Sequence, residues 1–153
     1  MRDHRYRADR KSARCRREAA DAYPRPGRWR HRHRIGAGPI HLDPHTEPQP
    51  DLALLRPRAD FYKTAHPRAS DVLLIIEVAD HSLRDDREIK IPLYARHGIP
   101  EVWLVDLLND RLNLFRDGGP EGYRQEIETA ELERLNPLHL PTVALDLRGL
   151  WQG

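Results

Sequence analysis

The sequence predicts an α/β (α+β) fold, a β-sheet covered on both faces with a helix after its central strand. Three stretches carry that prediction. Val72–Ala79 is apolar at every position except Glu77, as a strand is when both of its faces are buried. Asp85-Asp86-Arg87-Glu88 has the form of a helix start, with Asp85 as N-cap and Glu88 closing a capping box. Glu101–Asp106 and Arg111–Arg116 flank Leu107–Asp110 in the pattern of a β-hairpin.

The elements follow in order. Residues 1–36 mix Arg, His, Ala and Pro without helical or strand periodicity, and read as a disordered or aberrant basic tail with a weak helix over Asp9–Ala22. Such an arm could grip phosphates, with Tyr23 and Trp29 available for stacking. An unstructured tail without a role, or a shifted reading frame of a GC-rich gene, also gives strings of this kind, and these two readings carry more weight than the arm. Residues 37–153 form the expected domain. Pro39–Leu42 reads as a short strand, Asp43–Pro50 as a Pro-punctuated loop and Asp51–Arg56 as a strand. Residues 57–71 are a polar connection leading to Val72–Ala79, and residues 80–84 a loop. The helix opened by Asp85 runs to His97, where Gly98 stops it; Pro92 inside it should bend it. After the hairpin, Gly118-Gly119-Pro120 is a turn and Tyr123–Glu128 a strand. Pro137–Leu147 gives a last short strand, and Leu150-Trp151 packs the end.

Length and composition narrow the class. A chain of 153 residues suits one core. The longest apolar run is far shorter than a membrane span, and the N-terminus lacks the apolar segment of a secretory signal. One cysteine, Cys15, excludes an intrachain disulfide framework and fits a cytoplasmic location. Charge is divided unevenly. Residues 1–35 hold 13 Lys+Arg against 4 Asp+Glu, and the remainder 13 against 20. A basic arm on an acidic domain is compatible with a nucleic-acid partner.

The chemistry centres on Glu77. A carboxylate in an apolar strand is costly unless it is paired or bound to a metal. Strand alternation puts Leu73, Ile75, Glu77 and Ala79 on one face, and Asp51, Ala53 and Leu55 on one face of the earlier strand. If the two strands are neighbours, Asp51 and Glu77 converge. Hard oxygen ligands at such a point suit Mg²⁺ or Mn²⁺. Asp86 and Lys90 stand four apart on the next helix, so Asp86 is placed to hold the Lys90 ammonium. On spacing alone that pair is an ordinary exposed helix pair, and the alternative for Glu77 is a carboxylate at the wet end of the strand, satisfied by an Arg or a cap. Other residues are weaker candidates. Asp80 and His81 follow the strand, Ser82 reads as a turn or cap, and Tyr94 and Trp103 read as core. Arg56, Arg58, Lys63 and Arg84 fall in loops expected near the site. The nine histidines show no helical H-x-x-x-H pair, and there is no phosphate-binding glycine motif.

Taken in order, Glu47-Pro48-Gln49-Pro50-Asp51-Leu52-Ala53-Leu54, Leu74-Ile75-Ile76-Glu77-Val78-Ala79-Asp80-His81-Ser82, Asp86-Arg87-Glu88-Ile89-Lys90 and the stretch from Tyr94 to Asp106 resemble the Uma-two family of restriction-endonuclease-like proteins. The resemblance covers about Pro39 to Leu150. It implies membership of the PD-(D/E)XK nuclease superfamily and a restriction-endonuclease-like fold, a mixed β-sheet flanked by helices. It also implies that Asp51 and Glu77 match the metal-binding acids and Lys90 the lysine, moved from strand to helix. Ala79 fills the strand position where the superfamily usually carries that lysine. Residues 1–36 show no match to the helical, acidic opening of the family.

The expected function is a Mg²⁺-dependent (or Mn²⁺-dependent) endonuclease acting on phosphodiesters, in DNA. Asp51 and Glu77 hold the metal, Lys90 assists the water or the transition state, and Asp86 supports Lys90. The competing expectation is a truncated, catalytically impaired member that binds nucleic acid or protein. The exposed edge of a shortened sheet favours a homodimer, and no membrane partner is expected.

Overall fold

The computed structural model describes residues 34–81 and 83–148. The weak helix over Asp9–Ala22, the turn at Ser82 and the packing of Leu150-Trp151 lie outside the described residues. Among the described residues six strands form one mixed sheet, ordered β1 to β6 as in the chain: Arg34–Gly36, Leu52–Leu55, Val72–Ala79, Glu101–Asp106, Arg111–Gly119 and Gly122–Thr129. All neighbours are antiparallel except β3 and β4, which run parallel, with Glu77 opposite Leu104. A parallel pair needs a crossover, and the helical segment 83–96 (α1) supplies it.

The expectation for β3 is met residue for residue: all eight of its positions are buried. On one face, Ala53, Leu55, Ile75, Ala79, Val102 and Leu104 pack under Ile91, Tyr94 and Ile99 from α1 and the turn after it. On the other, Leu74, Ile76, Val78, Trp103, Val105 and Leu114 pack under Leu132, Val143, Leu145 and Leu147. Among the described residues that second cover is an irregular chain, where the sequence predicts a last short strand. Pro137–Leu147 contributes only an isolated bridge, Leu135 to Leu145. Buried Glu101 fastens it. Its carboxylate accepts from Trp103 Nε1 (2.8 Å), the Arg116 guanidinium (2.7 Å) and the Leu138 backbone N–H (2.6 Å). A buried charge so fully partnered is tolerated where a lone one is not.

Several local expectations are corrected. Arg34–Gly36, placed in the irregular tail, pairs with β2. Pro39–Leu42 is not a strand: Ile40 is fully buried, and His41 makes only an isolated bridge to Arg68. Leu73 joins Leu74 on the face opposite Ile75, because the β2–β3 register shifts between Leu54 and Leu55. A bulge of this kind puts two residues against one and reverses the alternation beyond it.

The helix starts at Leu83, two residues before the expected cap. Asp85 therefore has helical angles (φ −67°, ψ −41°) and makes no capping bond, while Glu88 pairs with Arg84 at 3.2 Å. Asp86–Lys90 is a π-helical turn closed by the Ile91 N–H on the Asp86 carbonyl, and Ile91–Arg96 is α-helical. Pro92 has no N–H, and its ring crowds the carbonyl four residues back. The wide turn just before it accommodates that misfit, so the expected bend takes the form of a π-turn. Gly98 ends the helix at φ +74°, with the Ile99 N–H on the Tyr94 carbonyl at 3.1 Å. Gly98→Ala is expected to lower stability by about 1 kcal/mol through the left-handed backbone, read from the urea midpoint. Gly118 lets α1 approach the sheet: a Cβ there would meet the Ala95 Cα at 3.2 Å and the Tyr123 ring at 2.9 Å.

Candidate active site

Asp51 stands immediately before β2, and Glu77 lies five residues into β3 from its start. The register that pairs Leu52 with Ile76 brings them side by side. The Asp51 N–H points at Glu77 Oε2 at 3.4 Å, and Asp51 Oδ2 accepts the Val78 N–H at 2.8 Å. Each acid thus leans on the other's strand. Glu77 faces α1, which lays Asp86, Lys90 and Tyr94 over it.

Lys90 bridges two acids. Its Nζ is 2.9 Å from Asp86 Oδ1 and 3.3 Å from Glu77 Oε2. Asp86 is only 3% exposed, which removes the reading of Asp86–Lys90 as an ordinary surface pair. Tyr94 comes from the next turn, and its hydroxyl donates to Glu77 Oε1 at 2.7 Å. The two Glu77 oxygens are therefore in different company. Oε1 meets a neutral hydroxyl; Oε2 meets an ammonium and a backbone N–H.

Electrostatics follow from this packing. Burial pushes the Glu77 carboxyl up to about 7, against the opposing pull of the Tyr94 hydrogen bond and the Lys90 charge, and Asp51 and Asp86 push the same way as burial. Burial draws the Lys90 ammonium down, but Glu77 and Asp86 outweigh it and hold it above its ordinary value. Burial, then the charge of Glu77, drives the Tyr94 hydroxyl well above the ordinary tyrosine range, so it stays a proton donor.

The other candidates lie elsewhere. Arg56, Arg58 and Lys63 occupy the β2–β3 connection, at the opposite end of β3 from Glu77. Arg56 N bonds the Asp71 carbonyl, six residues before Glu77 and so about 20 Å along the strand by the usual rise per residue. Arg58 is engaged with Asp60 and stacked on Tyr62, its guanidinium carbon 4.0 Å from the ring centroid. This corrects the expectation that they fall near the site: most of β3 separates their connection from Glu77. Arg84 and His81 are exposed. Trp103 is core, on the face away from Glu77. Tyr94 was read as core alone. It is fully buried, yet its hydroxyl serves the site, and the spacing Asp86, Lys90, Tyr94 was the available signal.

The family described as "Uma2: Putative restriction endonuclease" matches residues 8–148. The chain belongs to the Uma2 family. The match begins within the basic segment, which corrects the expectation that residues 1–36 fall outside the family pattern. The fold of this Uma2 protein is similar to that of a crystal structure from Anabaena variabilis described as "a putative nuclease belonging to DUF820", with a TM-score of 0.64 and 16% identity over 99% of this chain and 83% of that one. No curated protein sequence matches the chain.

Among the described residues no three His, Cys, Asp or Glu side chains converge as a complete metal cage. The donor set at Glu77 nevertheless fits a hard divalent cation. Asp51 and Glu77 stand side by side on neighbouring strands, and the Glu77 carboxyl is raised chiefly because burial removes it from water, a cost that a bound cation would offset. Mg²⁺ and Mn²⁺ use few protein carboxylates and complete their shells with water and substrate oxygens.

Proposed function

We propose that this chain is a Mg²⁺- or Mn²⁺-dependent endonuclease that hydrolyses phosphodiester bonds in DNA. The observation that carries the reading is the buried Glu77, set against Asp51 and bridged by Lys90 to Asp86. Membership of a family described as "Putative restriction endonuclease" supports the reaction class.

Asp51 and Glu77 would hold the cation. When bound, it would polarise the scissile phosphate and lower the pKa of the attacking water. Lys90 is held protonated by its two acid neighbours, so it serves as a positive charge rather than as a proton acceptor. An ammonium there can lie against the phosphate oxygens as negative charge develops on them. Asp86 fixes the direction of that ammonium from one helical turn away. Tyr94 holds Glu77 from behind.

Purified protein is to be incubated with supercoiled and linear DNA, and with RNA in parallel, with Mg²⁺ or Mn²⁺ and with chelator. Cleavage of DNA is expected with either ion. Asp51→Ala is expected to abolish it. Cleavage that persists with chelator, or in Asp51→Ala, would place the activity elsewhere in the molecule.

A further inference from the structure

Glu77 presents its two oxygens unequally. Oε1 is 2.7 Å from the Tyr94 hydroxyl, in a part of the core where Tyr94 is 0% exposed. Oε2 is turned to the Lys90 ammonium and the Asp51 N–H. A fully buried ring cannot swing aside without opening the α1–sheet interface, so the hydroxyl keeps its hold on Oε1.

We infer that Tyr94 is a positioning residue that confines Glu77 to one-oxygen ligation and thereby sets the ion preference of the site. The inference rests on the metal reading above and deepens it. Its chemistry is that of coordination number. Mg²⁺ demands near-ideal octahedral geometry with short bonds and takes a carboxylate through one oxygen readily. Ca²⁺ is larger, accepts six to eight oxygens and often takes a carboxylate through both. A Glu77 whose Oε1 is occupied by a hydroxyl offers only Oε2. The site is thereby biased toward Mg²⁺ and Mn²⁺ and against Ca²⁺. Removing the hydroxyl frees Oε1 and relaxes the bias.

The test is calorimetric titration of the full chain with Mn²⁺ and with Ca²⁺, in wild type and Tyr94→Phe. The variant keeps the ring that fills the core, and thermal melts check that it folds. Tyr94→Met gives the same comparison should Tyr94→Phe not fold. Mn²⁺ affinity is expected to fall about tenfold or more in the variant, the usual loss when a ligand's orienting partner is removed. Ca²⁺ affinity should fall less or rise, so the Mn²⁺/Ca²⁺ ratio narrows about tenfold. A merely structural tyrosine would lower both affinities together. A ratio unmoved by the substitution, with both ions binding wild type, overturns the assignment of Tyr94 alone. Wild type that binds neither ion overturns the metal reading, and this inference with it.

Discussion

Glu77→Gln is expected to make the protein more stable at pH 8 by about 1–3 kcal/mol while abolishing divalent-cation binding and DNA cleavage. The gain follows from linkage. Burial raises the Glu77 carboxyl from 4.5 to about 7, and each unit of such a gap corresponds to about 1.4 kcal/mol. The sign is fixed by which state holds the proton. Below pH 4.5 the carboxyl is protonated in folded and unfolded chains alike. Between 4.5 and about 7 the folded chain keeps a proton that the unfolded chain has released, so stability declines as pH rises. Above about 7 the loss is complete and constant. Glutamine has no proton to lose, and its amide oxygen can still accept from Tyr94. Urea titrations between pH 4 and pH 8.5 should therefore show the wild type declining through this window and the variant lacking that decline. Saturating Mg²⁺ or Mn²⁺ should return stability to the wild type, by about 2.7 kcal/mol at a hundred times Kd, and give the variant nothing. A Glu77→Gln protein no more stable than wild type at pH 8 would mean that the Glu77 charge is already compensated. The case for a cation there would then fail.

The legible parts of the fold are those where sequence pattern and burial agree. Val72–Ala79 could be read because both its faces are covered, so no alternation was needed to recognise it. Its faces were misassigned at Leu73, because a one-residue bulge leaves no mark in a run of β-branched and leucine residues. The start of α1 was displaced because Asp85 and Glu88 mimic a cap although both lie inside the helical segment, Asp85 at the end of its first α-turn and Glu88 within the π-turn. The layer over Trp103 was not legible as a layer. Val143, Leu145 and Leu147 alternate with exposed neighbours as in a strand, yet the segment joins no sheet; it is held by Glu101, whose role depends on Arg116 and Leu138 from distant parts of the chain. At the site, spacing could place Asp86 beside Lys90. Only the β2–β3 register could place Asp51 beside Glu77. Tyr94 passed as core because burial and hydrogen bonding are properties of opposite ends of the same side chain.

Lys90→Met is expected to separate binding from turnover. In the structure the Lys90 ammonium lies 3.3 Å from Glu77 Oε2, the oxygen that a divalent cation would use. It therefore competes with a metal for Glu77, although it would assist the reaction once substrate is present. Replacing it by an apolar side chain of similar length removes the competitor and the helper together. Mn²⁺ affinity should hold or rise, measured by calorimetry. Cleavage under saturating Mn²⁺ should fall about 10²–10³-fold, the usual cost of removing one group that stabilises developing charge. Stability should fall by about 1–2 kcal/mol at pH 8, from the lost pairing of Glu77 and Asp86; this is modest because the Lys90 side chain is 35% exposed and partly screened. Alanine at position 79, two residues after Glu77, is fully buried among apolar neighbours and supplies no substitute charge. Placing lysine at 79 in the Lys90→Met background should not restore cleavage, because its stem would enter the packed layer of Ile75 and Ile91. A Lys90→Met protein whose turnover matches wild type would remove Lys90 from the reaction and leave it as a structural partner of Asp86.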